Sequence, residues 1–362
     1  MTDAVRGDRN AVARRGRSGA PDPAPPVFRL GLLALDGCML SSLAGPADAL
    51  HVAQVLVDIR APANAPRCES PIFESVIFSA RGAGRVRTAS GAEISGIAPL
   101  GRNARFDLVL VPGIDHHRPR EILDLQEHFA PELAALRALH LRGTRIAATC
   151  SGTFLLAMTG LLDGRRATTA WWMASAFRRY FPKVRLDEQA LIVDEGDVVT
   201  TGASTAVFSL VIRLIAQAAG EELAQQTSRM MLLDAERQSQ SPYVSQALLE
   251  KPRHSLSEKI TRFLERELHS PISVARLASH CGTSERTLLR HFHAQYGQSP
   301  LGYIQHLRVE RAKALLEATQ LSFDEVVERC GYSDAPSFRK LFKRETSLTP
   351  ADYRERFRLR AR

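Results

Sequence analysis

The sequence predicts two domains: a three-layer α/β sandwich with a mostly parallel sheet, and then an all-α domain with two helix-turn-helix units. Three observations carry this prediction. Apolar strand patterns alternate with helical patterns over the first two thirds of the 362 residues, which favours a parallel sheet covered on both faces. Strand patterns disappear after residue 257. The helical remainder repeats itself at an offset of 49 to 50 residues.

The first domain begins with an apolar strand at 27–35, followed by a turn at Asp36-Gly37 and a helix at 46–57. Strand and helix patterns then continue to alternate. At two places, two short apolar strand patterns flank a turn with glycine, which indicates a hairpin. The further predicted elements are strands at 73–80, 107–111 and 145–149, a helix at 121–142, and hairpins at 86–97 and 191–201.

Composition sets the domain boundaries. Residues 1–26 hold five arginines among glycine, alanine and proline but no apolar run, which predicts a disordered tail and no secretory signal. The α/β domain is predicted to span 27–237, and the helical domain 256–362. Between them, residues 238–255 are polar and contain prolines, which is typical of a linker.

Composition also excludes several classes of protein. Apolar residues at 44% and charged residues at 24% are ordinary for a globular chain, so a fibrous or wholly disordered protein is excluded. The longest apolar helix candidate, 204–220, is interrupted by Arg213 and Gln217, so no membrane partner is expected. Five scattered cysteines without a signal sequence predict reduced thiols and a cytoplasmic location. Zinc-binding spacings and a glycine-rich phosphate loop are both missing, so no metal and no cofactor are expected.

The internal repeat predicts DNA binding. In each copy a short amphipathic helix leads to a glycine turn, at Gly282 and at Gly331, and then to a second helix that Ser or Asp caps. This order is the helix-turn-helix arrangement, whose second helix enters the major groove of double-stranded DNA. Residues 256–362 also hold 19 basic against 13 acidic residues, which suits a polyanionic partner.

One face of each second helix is predicted to be core, and the other to contact DNA. Leu288 and Phe292 form the apolar stripe in the first unit, and Phe338 and Phe342 form it in the second. The opposite faces carry side chains that read base edges or bind phosphate. The residues predicted to contact DNA are Arg286, Leu289, Arg290, His293, Ser337, Arg339, Lys340 and Lys343.

A set of residues in the second unit matches the signature of a known family: Phe323, Cys330-Gly331-Tyr332, Phe338, Phe342-Lys343, Pro350 and Tyr353-Arg354. On these residues, 256–358 resembles the DNA-binding domain of the AraC/XylS family of transcriptional regulators. The resemblance implies two recognition helices in successive major grooves on one face of the DNA.

The chemical centre of the first domain is at 145–157, where an apolar strand leads into Cys150-Ser151-Gly152 and then into a helix. A cysteine on such a strand-to-helix turn is presented over the sheet edge, in the geometry of a nucleophile elbow. The helix amino terminus is expected to favour the thiolate. Pro112-Gly113 ends a neighbouring strand and offers backbone N–H groups to an anion.

Together with Gly45-Pro46 and residues 161–165, these motifs resemble the ThiJ/PfpI branch of the class I glutamine-amidotransferase-like fold, which is flavodoxin-like. The whole chain is similar to GlxA-type transcriptional regulators, which fuse that fold to an AraC-type domain. Enzymes of the branch carry a histidine where this chain has Ala170, and a carboxylate where it has Ser42. No catalytic residue is therefore assigned, and the resemblance implies a pocket for a small effector such as an amino acid or a quaternary amine.

Two alternatives stay open: a cysteine-dependent hydrolase or amidase, with His116 or His117 as the base, and a redox sensor based on the Cys150 thiol. The tryptophans assigned to the pocket would also suit an ordinary core. The resemblance further implies a homodimer, and RNA polymerase as a partner if the protein is an activator. The residues assigned to the effector pocket are Cys150, Ser151, Gly113, Trp171, Trp172, Ser204 and Ser42.

Overall fold

A computed structural model of the chain describes residues 26–60, 71–82, 84–234, 237, 239–245 and 255–358. Residues 1–25 of the tail predicted at 1–26 lie outside the described residues, as do residues 238 and 246–254 of the predicted linker.

The predicted fold class is confirmed, with a mostly parallel sheet in the first part of the chain and, over residues 255–358, helices without strands. The strands are β1 (Val27–Leu33), β2 (Ile72–Ser79), β3 (Gly84–Arg87), β4 (Glu93–Pro99), β5 (Leu108–Val111), β6 (Arg145–Thr149), β7 (Arg166–Ala167), β8 (Arg185–Leu186), β9 (Ile192–Asp194) and β10 (Val198–Thr201). Eight of them form one sheet in the order β3-β4-β2-β1-β5-β6-β10-β9, and β7 pairs with β8. The pairs β3–β4 and β9–β10 are antiparallel, so both predicted hairpins are present, and the inner pairs are parallel.

Helices cover both faces of this sheet. They are α1 (Ser41–Arg60), α2 (Pro119–Asp124), α3 (Ala130–Leu141), α4 (Gly152–Met158), α5 (Ala174–Tyr180), α6 (Ala206–Ala219) and α7 (Glu221–Met230). Helices α1, α6 and α7 contact one another in one layer, while α4 contacts α2 and α3 in the other. Because both faces are covered, all four residues of β5 are buried.

The single helix predicted at 121–142 is wrong, because the chain forms α2 and α3 with a turn at 125–129 between them. Pro131 lies in the first turn of α3. A proline there has no N–H to donate to the preceding turn, so it suits the start of a new helix and interrupts a continuous one.

The last part of the chain is helical and duplicated, as the repeat predicts. Its helices are α8 (Ser255–Glu267), α9 (Val274–Cys281), α10 (Glu285–Tyr296), α11 (Pro300–Ala318), α12 (Phe323–Arg329), α13 (Ala335–Thr346) and α14 (Pro350–Phe357). Helices α9 and α10 form the first unit, α12 and α13 form the second, and α11 connects them. Each unit has its own apolar core, and α11 contributes Ile304 to the first and Leu316 to the second.

Candidate functional site

The cysteine site lies where parallel strands end at one edge of the sheet. Cys150 follows β6 directly and has a φ of +54°, which side chains rarely adopt and which confirms the predicted elbow. Its backbone N–H donates to the carbonyl of Gly202 at 2.9 Å, and its carbonyl accepts from the Thr169 hydroxyl at 2.9 Å. A Cβ on Gly152 would overlap the carbonyl oxygen of Pro112, so only glycine allows α4 to begin this close to β5.

The Cys150 thiol is buried, with 4% of the residue exposed. Burial raises the pKa of this thiol, although hydrogen bonds to Ser151 and Ser204 act in the opposite direction. The Ser204 hydroxyl donates to the sulfur at 3.9 Å. The hydrogen bond from the backbone N–H of Ser151, at the helix amino terminus, favours the thiolate as expected, but desolvation outweighs it and the net pKa is raised.

Four of the seven predicted pocket residues come together. A Cβ on Gly113 would lie 3.4 Å from Cβ of Cys150 and 3.5 Å from the hydroxyl of Ser151. The Ser151 hydroxyl accepts from the N–H of Ile114 at 2.8 Å and donates to its carbonyl at 2.9 Å, which fixes the loop after β5. Ser204 completes the group through its contact with the sulfur.

Ser42 is connected to this group through the first turn of α1. Its N–H donates to the carbonyl of Met39, whose Cγ would lie 3.4 Å from a Cβ on Gly113. Ser42 is fully buried, and its hydroxyl has no hydrogen-bond partner within the described residues. Thr153, at the start of α4, has a buried hydroxyl in the same condition. Buried hydroxyls of this kind are uncommon in folded proteins.

The two tryptophans lie in a short 3-10 turn, Trp171–Met173, and contact each other edge to face at 5.2 Å. Trp172 packs against the core of the first domain. Trp171 lines a cavity between the two domains, together with residues of α10 and α11. Ala170, at the position of the histidine in the enzymes, is fully buried. His116 Nδ1 lies 2.9 Å from the carbonyl oxygen of Ile114.

The two recognition helices are α10 and α13. Ser284 and Asp334 cap them by accepting from the backbone N–H of the third residue that follows, as the sequence predicts. All four predicted core residues of these helices are fully buried. The residues predicted to contact DNA are all exposed: Arg286, Leu289, Arg290, His293, Ser337, Arg339, Lys340 and Lys343.

Contacts between the units fix the two recognition helices relative to each other. Arg308 of α11 donates to the carbonyls of Leu268 and Ser270 at 3.1 and 2.8 Å, just after α8. Its guanidinium also lies 5.1 Å from the ring centroid of Tyr332, in the turn of the second unit. The neighbouring Gly331 lies so close to Leu268 and His269 that a Cβ would be 2.8 Å from their backbone atoms.

Comparisons with known proteins agree with this architecture. The sequence model of the DJ-1/PfpI family matches residues 32–217, which is more than half of the chain. The chain belongs to the DJ-1/PfpI family. A second model, described as a helix-turn-helix domain, matches residues 277–356. The protein therefore carries a DJ-1/PfpI domain followed by an AraC-type helix-turn-helix domain.

Two similar proteins match nearly the whole length of the chain, and a third matches part of it. The HTH-type transcriptional regulator GbdR of Pseudomonas aeruginosa is 27% identical over 333 residues, which cover 90% of this chain and 84% of that protein. The regulator GlxA of Rhizobium meliloti is 27% identical over 334 residues, which cover 91% of this chain and 96% of that protein. The regulator CdhR of Pseudomonas aeruginosa is 30% identical over 230 residues, 62% of this chain and 67% of that protein. The chain is accordingly an HTH-type transcriptional regulator with a DJ-1/PfpI domain.

Two residues that attach the predicted linker to the domains have no signal in the sequence. Gln240, inside the predicted linker, is buried in the DJ-1/PfpI domain, where its amide donates to the carbonyls of Thr169 and Glu188 at 2.9 Å. Lys313 of α11 is also buried; its ammonium donates to the carbonyl of Val244 and lies 2.8 Å from a carboxylate oxygen of Glu310. Polar side chains such as these are usually exposed, and the backbone carbonyls that accept from them lie far away in sequence.

The described residues contain neither a membrane-spanning helix nor a cluster of metal-binding side chains. Within 26–60, 71–82, 84–234, 237, 239–245 and 255–358, no helix is both long and apolar enough to cross a membrane. The same part of the chain holds no group of three or more histidine, cysteine, aspartate or glutamate side chains placed to bind a metal ion.

Proposed function

We propose that the protein binds specific double-stranded DNA sequences through α10 and α13, and that a small effector bound to the DJ-1/PfpI domain controls this binding. The observation that carries the proposal is the division of both helices into a buried apolar face and an exposed face with arginine, lysine and histidine side chains. Such faces read base edges and bind phosphates in the major groove.

The eight exposed residues divide by chemistry into two groups. The cationic side chains Arg286, Arg290, Arg339, Lys340 and Lys343 suit guanine edges or phosphates. The others, Leu289, His293 and Ser337, suit thymine methyl groups and polar base edges.

For the DJ-1/PfpI domain we propose binding without catalysis. A nucleophilic cysteine needs a base or a lowered pKa, whereas Ala170 offers a methyl group and burial raises the pKa of the Cys150 thiol. The same burial opposes a redox role, because oxidation requires an accessible thiolate. The unpartnered hydroxyl of Ser42 supports a polar ligand, since an unsatisfied buried hydroxyl costs about 1–3 kcal/mol.

The remaining partners follow from the resemblance to GlxA-type regulators. They are a homodimeric second copy, RNA polymerase if the protein is an activator, and an effector such as an amino acid or a quaternary amine. A cytoplasmic location is part of the same proposal.

The test is selection of DNA by the full chain from a random-sequence pool, followed by affinity measurements at fixed salt. We expect the wild type to select one preferred DNA sequence. Arg290→Ala should bind this sequence more weakly than the wild type does, and Cys150→Ala should bind it with the same affinity. Arg120→Ala is the matched control, because Arg120 is an exposed arginine on α2 of the other domain. Equal binding to all sequences would contradict the proposal, and turnover that disappears in Cys150→Ala would favour the hydrolase.

A further inference from the structure

Residues 239–245, here called the connecting segment, are attached at their first end to the backbone of the DJ-1/PfpI domain. Ser239 forms an antiparallel bridge with Ala190, and the backbone N–H of Gln240 donates to the carbonyl of Gln189 at 3.0 Å. A 3-10 turn, Ser241–Tyr243, follows directly. This part of the predicted linker is therefore packed against the first domain, whereas a flexible linker would be solvated.

The Gln240 side chain binds both backbone stretches that hold the Cys150 elbow. Its amide nitrogen donates to the carbonyl of Thr169 at 2.9 Å, and the Thr169 hydroxyl donates to the carbonyl of Cys150. Its amide oxygen accepts from the N–H of Ala203 at 3.3 Å, next to Gly202, whose carbonyl accepts from the N–H of Cys150. A Cβ on Gly202 would lie 2.6 Å from the same amide oxygen. Because the contacts are this close, a movement of either stretch displaces the Gln240 amide.

The other end of the connecting segment is bound to the second helix-turn-helix unit. The buried Lys313 of α11 donates through its ammonium to the carbonyl of Val244. The Tyr243 ring packs edge to face against Phe357 of α14 at 5.2 Å, and the Tyr243 hydroxyl accepts from Arg356 at 3.0 Å. Helix α13 lies beside the same turn. The segment therefore links the supports of the cysteine elbow to the unit that carries the second recognition helix.

The first recognition helix meets the DJ-1/PfpI domain through other contacts. The carbonyl of Gln295, near the end of α10, accepts from the Ser175 hydroxyl at 3.3 Å. A Cβ on Gly297, which ends α10, would lie 3.1 Å from the guanidinium carbon of Arg178. Neither contact involves the connecting segment, so a change at the elbow reaches α13 more directly than α10.

We infer that the connecting segment couples the cysteine site to the second helix-turn-helix unit, with Gln240 as the positioning residue at the elbow and Lys313 as the anchor on α11. A ligand that shifts Thr169 or residues 202–204 displaces the Gln240 amide and, through Val244, changes the packing of α11 and α13. Coupling between two sites is reciprocal, so a change in the unit also alters the elbow. The control of DNA binding by this coupling rests on the proposed function, whereas the coupling itself does not.

The first experiment perturbs the helical end and measures at Cys150. The double variant Glu310→Gln/Lys313→Met removes the ammonium together with its carboxylate partner, so no buried charge is left unpaired. Its matched control is Glu310→Gln alone, which keeps the ammonium and its bond to Val244. We expect iodoacetamide to alkylate Cys150 of the native full chain at least about fivefold faster in the double variant than in the control.

The second experiment perturbs the elbow end and measures at the helices. Gln240→Ala removes the side-chain amide, and Gln226→Ala is its matched control, because the Gln226 amide binds Glu222 of its own helix α7. In hydrogen exchange of the full chain, we expect amides of α13 to lose protection at least about fivefold in Gln240→Ala, and amides of α10 to lose less. Amides of β2, which lies apart from β6 in the sheet, should keep their protection.

Three results would overturn the coupling. The first is an equal rate of Cys150 alkylation in the double variant and its control. The second is a loss of protection in Gln240→Ala that stays within the DJ-1/PfpI domain. The third is a uniform loss that includes β2, which would make Gln240 a residue of general structural importance and not a link between the two sites.

DNA affinity then tests the regulatory role. Gln240→Ala should change the affinity for the preferred DNA sequence at least about fivefold, and Gln226→Ala should leave it unchanged. An unchanged affinity in Gln240→Ala refutes the control of DNA binding by the connecting segment. If the chain selects no DNA sequence, the proposed function fails, and alkylation and hydrogen exchange still decide the coupling.

Discussion

The two turn glycines of the helix-turn-helix units allow a matched comparison within one chain. Gly282 and Gly331 have similar positive φ angles of +66° and +79°. Apart from its chain neighbours, a Cβ on Gly282 would meet no atom of the described residues within 4 Å, whereas one on Gly331 would lie 2.8 Å from backbone atoms of Leu268 and His269. Alanine substitution therefore imposes the same backbone penalty at both positions and a steric conflict at only one.

The expected magnitudes follow from these two contributions. An alanine in the left-handed region costs about 1–2 kcal/mol, and this cost applies to Gly282→Ala and Gly331→Ala alike. The contact at Gly331 adds about 1–3 kcal/mol, which is the usual cost of overpacking, because backbone atoms cannot rotate away as a side chain can. We expect Gly331→Ala to be the more destabilising of the two by that additional amount.

Hydrogen exchange of the full chain measures the local free energies of opening directly. Amides of α13 should lose protection in Gly331→Ala, and amides of α10 should lose less in Gly282→Ala. DNA affinity should fall in the same order, because the turn at Gly331 positions the second recognition helix. Equal losses of protection in the two variants, or a larger loss in Gly282→Ala, would refute the steric argument.

Three further outcomes are expected. Arg290→Ala should weaken the binding free energy at the preferred DNA site by about 1–3 kcal/mol and relax specificity at one base pair. Competition among DNA sites that differ at single base pairs measures both effects. A uniform loss of affinity for all sequences would instead make Arg290 a phosphate contact. The Asp197 carboxylate binds Arg165 and His140, and these contacts lower the pKa of Asp197 in the folded protein. Asp197 therefore stabilises the fold at pH values above the unfolded pKa of about 3.9, and this stabilisation is lost as the pH falls below that value. The difference in unfolding free energy between wild type and Asp197→Asn should therefore shrink between about pH 5 and pH 3, and a constant difference would contradict this role. Cys150 in the native protein should react with iodoacetamide at least about tenfold more slowly than in the unfolded chain, because burial raises the pKa of its thiol. Peptide mass spectrometry measures both rates. Equal rates would mean that the thiol is accessible in the native protein.

Local patterns made much of this fold predictable from sequence. The glycine turns, the capping residues Ser284 and Asp334 and the apolar stripes of α10 and α13 act within a few residues, so their spacing determines the helix-turn-helix units. The elbow at Cys150 is local in the same way, because the strand, the turn and the helix follow one another directly.

Burial and long-range contacts could not be predicted in the same way. The desolvation that raises the pKa of the Cys150 thiol depends on surrounding segments from several parts of the chain. Trp171 lines the cavity between the domains because the helical domain lies against the first one, and no periodicity encodes that placement. Gln240 belongs to a polar segment typical of a linker, yet its side-chain amide donates hydrogen bonds to backbone carbonyls more than 50 residues away in sequence.

The tandem arrangement has a consequence for the geometry of the promoter. The recognition helices expose different side chains, with Leu289 and His293 on α10 and Lys340 and Lys343 on α13, while α11 and Arg308 keep them in one relative arrangement. Two identical units related by a two-fold axis read a palindrome. Two unlike units in series read a sequence with a direction, so the DNA binding proposed above would give one chain only one orientation on its site. Inverting that site would then turn the DJ-1/PfpI domain toward its opposite end.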